Sequence, residues 1–322
     1  MSAQVSVTAA ARLHLGFLDM NGGLGRKFGG IGLALDSPAT IISLKPALKN
    51  SANGPETERA QRLLSITQEV LAPSSHFQLT VHHAIPAHSG LGSGTQLALA
   101  IAAALRSLEN LPLNSAADAA MLSRGARSGL GAGLFEQGGF VVDGGRGAST
   151  LTPPVISRTP FPQEWRAILV HDREAVGLHD SEEKEAFAAL APLSPAASGE
   201  ICRLVLMQLM PALAENEFAP FGAALTRIQE IVGDYFSPAQ KNSRYTSKKV
   251  ERLIMRLGEL GAAGLGQTSW GPTGFAFTES EISARIILEQ TADEVRSLGL
   301  TTTLHRGLNT GAKIEQCFAQ IA

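Results

Sequence analysis

Twenty residues, Pro86 to Leu105 (PAHSGLGSGTQLALAIAAAL), constrain this chain more than any other segment. Ahead of them Phe77, Leu79, Val81 and Ile85 fall on one face at period two, the pattern of a half-buried strand. Behind the glycines Leu97, Ile101, Leu105 and Leu108 recur at helical spacing, with alanines between them that permit close packing. Gly90, Gly92 and Gly94 join the two. A strand feeding a helix through glycines aims backbone N–H groups and the positive end of the helix dipole at one point. That arrangement suits a phosphate or diphosphate, and the same glycines also serve a plain tight turn.

Composition narrows the class. At 322 residues and 44% hydrophobic content the chain is long enough for one large or two medium domains. Its 27 basic and 29 acidic residues leave a net charge of −2, and neither sign forms a long run. A nucleic-acid surface or a polybasic membrane patch is therefore not expected. The longest apolar run, Leu97 to Leu105, is about half of the ~20 residues a bilayer span needs. The start shows no charged segment followed by an apolar one, so a cytoplasmic location is expected. Cys202 and Cys317 are too few and too far apart for a disulfide scaffold or a metal site.

Along the chain, Val5 to Phe17 alternates, with Arg12, His14 and Gly16 on the face opposite the apolar residues. A glycine-rich turn leads to a second strand near Ile31 to Leu35 and a third near Thr40 to Leu44. Helices are expected at Glu58 to Leu71, from Thr95, and at Asn114 to Arg127, the last capped by Asn114 or Ser115. A short strand, Gly139 to Asp143, precedes the proline-rich Thr150 to Pro162, which reads as a domain boundary and divides the chain into 1–155 and 156–322. Beyond it come a strand (Trp165 to Val170), helices at Ser181 to Leu190, Ser198 to Ala214 (ended or kinked at Pro211), Ala223 to Val232, Ser247 to Leu260 and Glu281 to Leu298, and a final strand, Thr301 to His305. The fold class is α+β, two layers around a shared cleft.

The loop P-x3-G-L-G-S opening an Ala-rich helix resembles the phosphate loop of the GHMP kinase superfamily. The superfamily usually carries a second serine where this chain has Gly94, a hydroxyl that a kinase could use. Four blocks together, ARLHLGFLDMNGGLGRKFGGIGLALDSP, SGLGSGTQLALAIAAAL, RSGLGAGLFEQGGFVVDGG and GLGQTSWGPTGFAF, resemble the β-ribofuranosylaminobenzene 5′-phosphate synthase family. FSPAQKNSRYTS departs from it: Lys241 and Asn242 stand where the family tends to have glycines. The resemblance implies a GHMP-kinase-like two-domain architecture that no longer works as a kinase. It implies transfer from 5-phosphoribosyl diphosphate to 4-aminobenzoate, releasing CO2 and diphosphate, towards tetrahydromethanopterin. Mg2+ and a homodimer are expected with it.

Against that chemistry, Gly90, Leu91, Gly92, Ser93, Gly94 and Thr95 form the expected phosphate cradle, with the Ser93 and Thr95 hydroxyls as added donors. Asp19, Arg26 and Lys27 are the expected catalytic groups. Asp19 would hold Mg2+ or offset positive charge on the ribose, or merely shape its turn. Arg26 and Lys27 suit the 5-phosphate or the leaving group, or are solvated surface charge. Arg12, His14, Glu136, Thr268, Ser269 and Trp270 are the expected substrate-binding residues. His14 is also a candidate proton carrier, and Trp270 would stack on an aromatic acid or plug the two domains together. His82, His83 and His88 surround the strand before the loop, Asp143 is a second carboxylate of the third block, and His179, Asp180 and Glu185 begin a helix that could close the site. The alternative activity is an ATP-dependent GHMP-type small-molecule kinase, and a third reading is a non-catalytic sensor of a phosphorylated metabolite.

Overall fold

A computed structural model describes residues 3–73, 75–174, 190–240, 242–268 and 271–318. In chain order the elements that position the site are β1 (Ala3–Asp19), β2 (Phe28–Ala47), β3 (Ser51–Asn53), α1 (Thr57–Leu71), β4 (His76–His83), α2 (Ser93–Leu108), α3 (Ser115–Met121), α4 (Leu130–Gln137), β5 (Phe140–Asp143) and β6 (Val155–Thr159). They are followed by β7 (Arg166–Asp172), β8 (Ala263–Gln267), β9 (Gly274–Thr278), β10 (Leu300–His305) and β11 (Lys313–Phe318). One sheet runs β11-β1-β2-β4-β3, with β5 paired to β2 and β6 to β5; the other runs β10-β7-β9-β8.

The alternation of β1 decides where the cores lie. Val5, Val7 and Ala9 pack with α1, α2 and β4, whereas Ala11, Leu13, Leu15 and Phe17 pack with the helix Phe218–Phe236 and the second sheet. The register of β1 against β2 shifts between Ala10 and Arg12, so one strand serves two cores from one face. The second sheet is covered on both sides. Ala167 and Leu169 face the β1 core, while Ile168 and Val170 face Val250, Leu253, Ile254 and Leu257 of the helix Lys248–Glu259. Among the described residues no helix is long and apolar enough to cross a membrane.

Several elements differ from expectation. The second and third strands are one, β2. Pro38 lies where the β1 register slips and residues 35–38 have no β1 partner, so its missing N–H breaks no rung. α3 stops at Met121, because Ser123 and Gly125 take φ of 54° and 74° and turn the backbone left-handed. The helix expected at Ser198 to Ala214 is two segments, Pro195–Leu204 and Met210–Glu215, joined by a π turn at Val205–Leu209 that takes up the disturbance of Pro211. Glu281 to Leu298 is likewise split into Glu281–Gln290 and Ala292–Ser297. The segment 263–267, which overlaps the start of the block GLGQTSWGPTGFAF, is a strand, and β11 is a strand that alternation alone does not announce. The expected helix at Ser181 to Leu190 falls mostly outside the described residues. The expected division at 155/156 coincides with the first residue of β6, which belongs to the first sheet, and β11 also returns to that sheet beside β1.

Phe221 is fully buried and stacks on Trp165, Phe277 and Phe161 at ring separations of 5.0, 5.4 and 6.0 Å. Phe221→Ala empties the middle of this cluster, and we expect a loss of about 3–5 kcal/mol in a urea unfolding titration. A loss under about 1 kcal/mol would contradict this account of the core.

Candidate functional site

Gly92, at φ 81°, makes the left-handed entry to α2, and the Thr95 and Gln96 N–H groups donate back to its carbonyl at 3.1 and 3.0 Å. Three successive carbonyls of the loop are tied away from the helix mouth. The Thr273 hydroxyl donates to the Ser89 carbonyl (2.8 Å), and the Thr268 hydroxyl (3.0 Å) and Arg12 Nη1 (3.1 Å) donate to that of Gly90. The Arg12 N–H donates to the Leu91 carbonyl (3.0 Å). Thr268 also accepts the His14 N–H at 3.1 Å, so one hydroxyl joins β1, the phosphate loop and the β8–β9 connection.

Two recesses flank this loop. One, of about 640 Å3, is lined by Arg12, Arg124, Arg127 and Arg146 together with His14 and Thr95; its lining includes no Asp or Glu. The other, of about 840 Å3, includes Arg59, Arg62 and His88 with Glu56 and Glu58, and shares Arg124. Arg124 and Arg127 arrive on the left-handed turn that ends α3. Arg146 arrives through a two-way backbone pairing with Lys27 at 2.9 and 2.8 Å. Asp143 organises the same corner from within, accepting from Ser128 Oγ (2.8 Å) and the Gly129 and Gly145 amides (3.0 and 2.9 Å). Burial pushes its carboxyl upward while these bonds oppose the shift.

His14 is buried, and its pKa is driven from 6.5 down to about 3, chiefly by burial and then by the Arg12 and Arg127 charges. Its Nδ1 accepts the Gly16 N–H at 3.3 Å, so in the neutral ring Nε2 carries the proton. The expected proton carrier is thus a neutral hydrogen-bond donor, because two guanidiniums and burial both oppose its charged form.

A second histidine stands behind the loop. Since the Ser89 carbonyl only accepts, Thr273 donates to it and must itself accept from His171 Nδ1–H at 3.1 Å. His171 Nε2 then accepts from Thr303, 3.1 Å away, and Thr303 accepts from His305 Nε2 at 2.7 Å. The carbonyl at one end sets the donor direction along the whole chain. Burial, with His305 and Arg173 nearby, lowers the His171 pKa to about 4 and keeps the ring neutral.

Of the sequence-chosen residues, the structure brings Arg12, His14, Thr95 and Thr268 together around Gly90–Thr95. It does not bring Asp19, Arg26 or Lys27 into either recess lining. Asp19 Oδ1 accepts from the Asn21 and Gly22 amides (2.6 and 3.2 Å) and Ser198 Oγ (3.0 Å), which fits a turn carboxylate. Arg26 donates to the Gly144 and Gly145 carbonyls at 2.8 and 2.7 Å, and Lys27 Nζ lies 5.8 Å above the Phe28 ring. Glu136 is exposed on α4, and His82 Nε2 pairs with Ser43 Oγ at 2.9 Å. Ser269, Trp270, His179, Asp180 and Glu185 lie outside the described residues. Asp19 Oδ1 already meets three hydrogen-bond donors, and among the described residues no three His, Cys, Asp or Glu side chains gather to hold a metal. Sequence reasoning missed Arg59, Arg124, Arg127 and Arg146. SRGARSG, two arginines in a glycine-bearing loop, was a usable signal for the middle pair; nothing local marks the other two.

Residues 58–142 match the family described as GHMP kinases N terminal domain, and 209–296 that described as GHMP kinases C terminal. The chain is 32% identical to a beta-ribofuranosylphenol 5'-phosphate synthase of Archaeoglobus fulgidus, over 95% of this chain and 97% of that one. It is 30% identical to one from Methanocaldococcus jannaschii, over 96% and 99%. Among solved structures, homoserine kinase from Cytophaga hutchinsonii superposes with a TM-score of 0.69 at 16% identity, covering 97% of both chains. The phosphomevalonate kinase of Streptococcus pneumoniae gives 0.70 at 14%, covering 95% and 99%. These two likenesses concern the fold alone.

Both imidazoles, His14 buried and His171 partly buried, protonate near pH 6.5 once unfolded but only near pH 4 (His171) and pH 3 (His14) when folded. Between those values the unfolded chain holds more protons, so each contributes stability that is complete above about pH 6.5 and is lost as pH falls. We expect the urea midpoint to drop from pH 7 to pH 5, and to drop less steeply in His14→Asn and His171→Asn. Equal steepness in wild type and both variants would refute the neutral assignment.

Proposed function

This chain belongs to the family of beta-ribofuranosylphenol 5'-phosphate synthases, on the GHMP kinase fold, and from that premise we propose that it transfers phosphoribose from 5-phosphoribosyl diphosphate to 4-aminobenzoate, a step towards tetrahydromethanopterin. One observation carries the reading: the recess beside the phosphate loop is lined by four arginines, a histidine held neutral and no carboxylate among its described residues.

The reaction asks for that environment. The para amino group pushes electron density to the ring carbon that bears the carboxylate. That carbon bonds to the anomeric carbon as the bond to the diphosphate oxygen breaks. The carbon–carboxylate bond then breaks, its electron pair restores the aromatic ring, and CO2 departs. No proton is removed from the nucleophile, so no general base is needed. What must be managed is anionic charge, on the 5-phosphate, the leaving diphosphate and the acceptor carboxylate. A kinase acting on an alcohol must dispose of the hydroxyl proton, and this recess offers no carboxylate for it, with His14 a poor base.

In this reading the diphosphate sits on Gly90–Thr95, with the Ser93 and Thr95 hydroxyls and the α2 dipole completing the cradle. Arg127 and Arg146 receive the 5-phosphate, as guanidinium forks match phosphate oxygens. Phe17 and the His14 Nε2–H border the acceptor. Mg2+ accompanies the reading as an expectation of the family; when bound it would offset negative charge on the diphosphate. A homodimer accompanies the reading as an expectation of the family.

The relatives are named for a phenol product where the sequence resemblance pointed to an aminobenzene. Amino and hydroxyl groups both donate electron density to the para carbon, so the chemistry is shared. Incubation with 5-phosphoribosyl diphosphate, Mg2+ and 4-aminobenzoate should release CO2 and diphosphate in equal amounts. 4-Hydroxybenzoate is the comparison that tests the acceptor. Benzoate, which lacks the donor, should give neither product. Folded protein that releases no CO2 with either donor-bearing acid, or that forms ADP from ATP and an alcohol instead, would sink the proposal.

A further inference from the structure

Gly94 is the position where the loop departs from the superfamily pattern, and the space beside it is occupied. A Cβ placed on Gly94 would overlap the guanidinium of Arg59 and lie 3.5 Å from Arg124 Nη1. A Cβ on Gly92 would lie 3.0 Å from Arg12 Nε. Three guanidiniums therefore converge on the first turn of α2. Arg59 comes from the first turn of α1, where a cation opposes the helix dipole instead of complementing it. Its ion pair within the chain is a long one, 3.5 Å to Glu56 Oε2, and its side chain is one quarter exposed. The α2 N-terminus and three cations thus face one small volume, an arrangement that a polyanion relieves.

We infer that Arg59 binds the departing diphosphate from the side opposite Arg127, and that position 94 lacks a side chain so that this guanidinium can reach the helix mouth. The inference rests on the reading that the loop holds the diphosphate of an activated sugar, and it adds a residue from the far recess to that site. Arg59 and Arg124, on neighbouring edges of the α2 N-terminus, would contact different oxygens of one diphosphate. A single phosphate engages fewer of these donors, so Arg59 makes the loop selective for diphosphate over inorganic phosphate. The aromatic acid, bordered by His14 and Phe17 in the other recess, does not reach Arg59.

The test uses the full chain, with Arg59→Gln, Arg59→Lys, Gly94→Ser and the double variant Arg59→Gln/Gly94→Ser. Inorganic diphosphate and inorganic phosphate serve as calorimetric probes, and steady-state kinetics use both substrates. Arg59→Gln should raise KM for 5-phosphoribosyl diphosphate and Kd for inorganic diphosphate by about tenfold or more, leaving KM for the aromatic acid unchanged. Kd for inorganic phosphate should change far less. Gly94→Ser should do the same by displacing the guanidinium, and the double variant should be no worse than either single one. Arg59→Lys should restore part of the loss. Wild-type affinity in Arg59→Gln, a loss shared equally by the aromatic acid, or additive losses in the double variant would each overturn the inference while wild-type turnover leaves the parent reading standing. Wild-type protein that turns over but binds no diphosphate overturns both assignments to the loop.

Discussion

One buried hydroxyl holds the centre of this molecule. Thr268 accepts the His14 amide from β1 and donates to the Gly90 carbonyl of the phosphate loop, while its own backbone starts the β8–β9 connection. Its side chain is fully buried, so an unmet partner there would carry the full cost of desolvation. Thr273 repeats the device one carbonyl earlier, at Ser89, and is itself oriented by His171. The second sheet thus sets the attitude of a loop that lies in the first. A site assembled this way has its glycine loop and the walls around it placed by different sheets but tied through hydrogen bonds of 2.8 to 3.1 Å.

The electrostatics follow from that assembly. Arginines from α1, β1 and the turn after α3 meet the first turn of α2, and Arg146 from the segment after β5 lines the recess that includes Thr95. In their field a histidine cannot hold a second proton, and His14 stays neutral with its Nε2–H available. Carboxylates near the site serve structure instead: Asp143 fastens the α4 entrance and Asp19 a turn. Such a site suits a reaction that moves a polyanion and expels CO2, since that chemistry asks for charge stabilisation and alignment more than proton transfer.

Much of the fold is legible in the chain. The alternation of β1 and the glycine entry to α2 stand as read, and of the two cap candidates Asn114 and Ser115 it is Asn114 that accepts from the amide three residues on. These signals are local, since a side-chain period or a cap involves residues only a few positions apart. Errors gather where distant partners decide. β2 stays continuous through Pro38 because β1 slips opposite it, and β11 becomes a strand because the edge of β1 is open to it. The site shows the same division: Arg12, His14 and the loop were found from their neighbours, whereas Arg59 sits on a helix with nothing in its flanking residues to mark it.

By itself, the sequence determined the strand–glycine–helix unit, the α+β class and the family, because each is written in residue order and spacing. Tertiary structure alone decided which charges meet. Arg59 and Arg146 lie 87 positions apart in the chain, yet they flank one loop, and Asp19 and Lys27, close to Arg12 in sequence, line neither recess. The reason is that a charge has no preferred partner until packing fixes its distance and its exposure to water. Hydrophobic periodicity places the elements, and only their packing brings guanidiniums from three segments to one helix mouth.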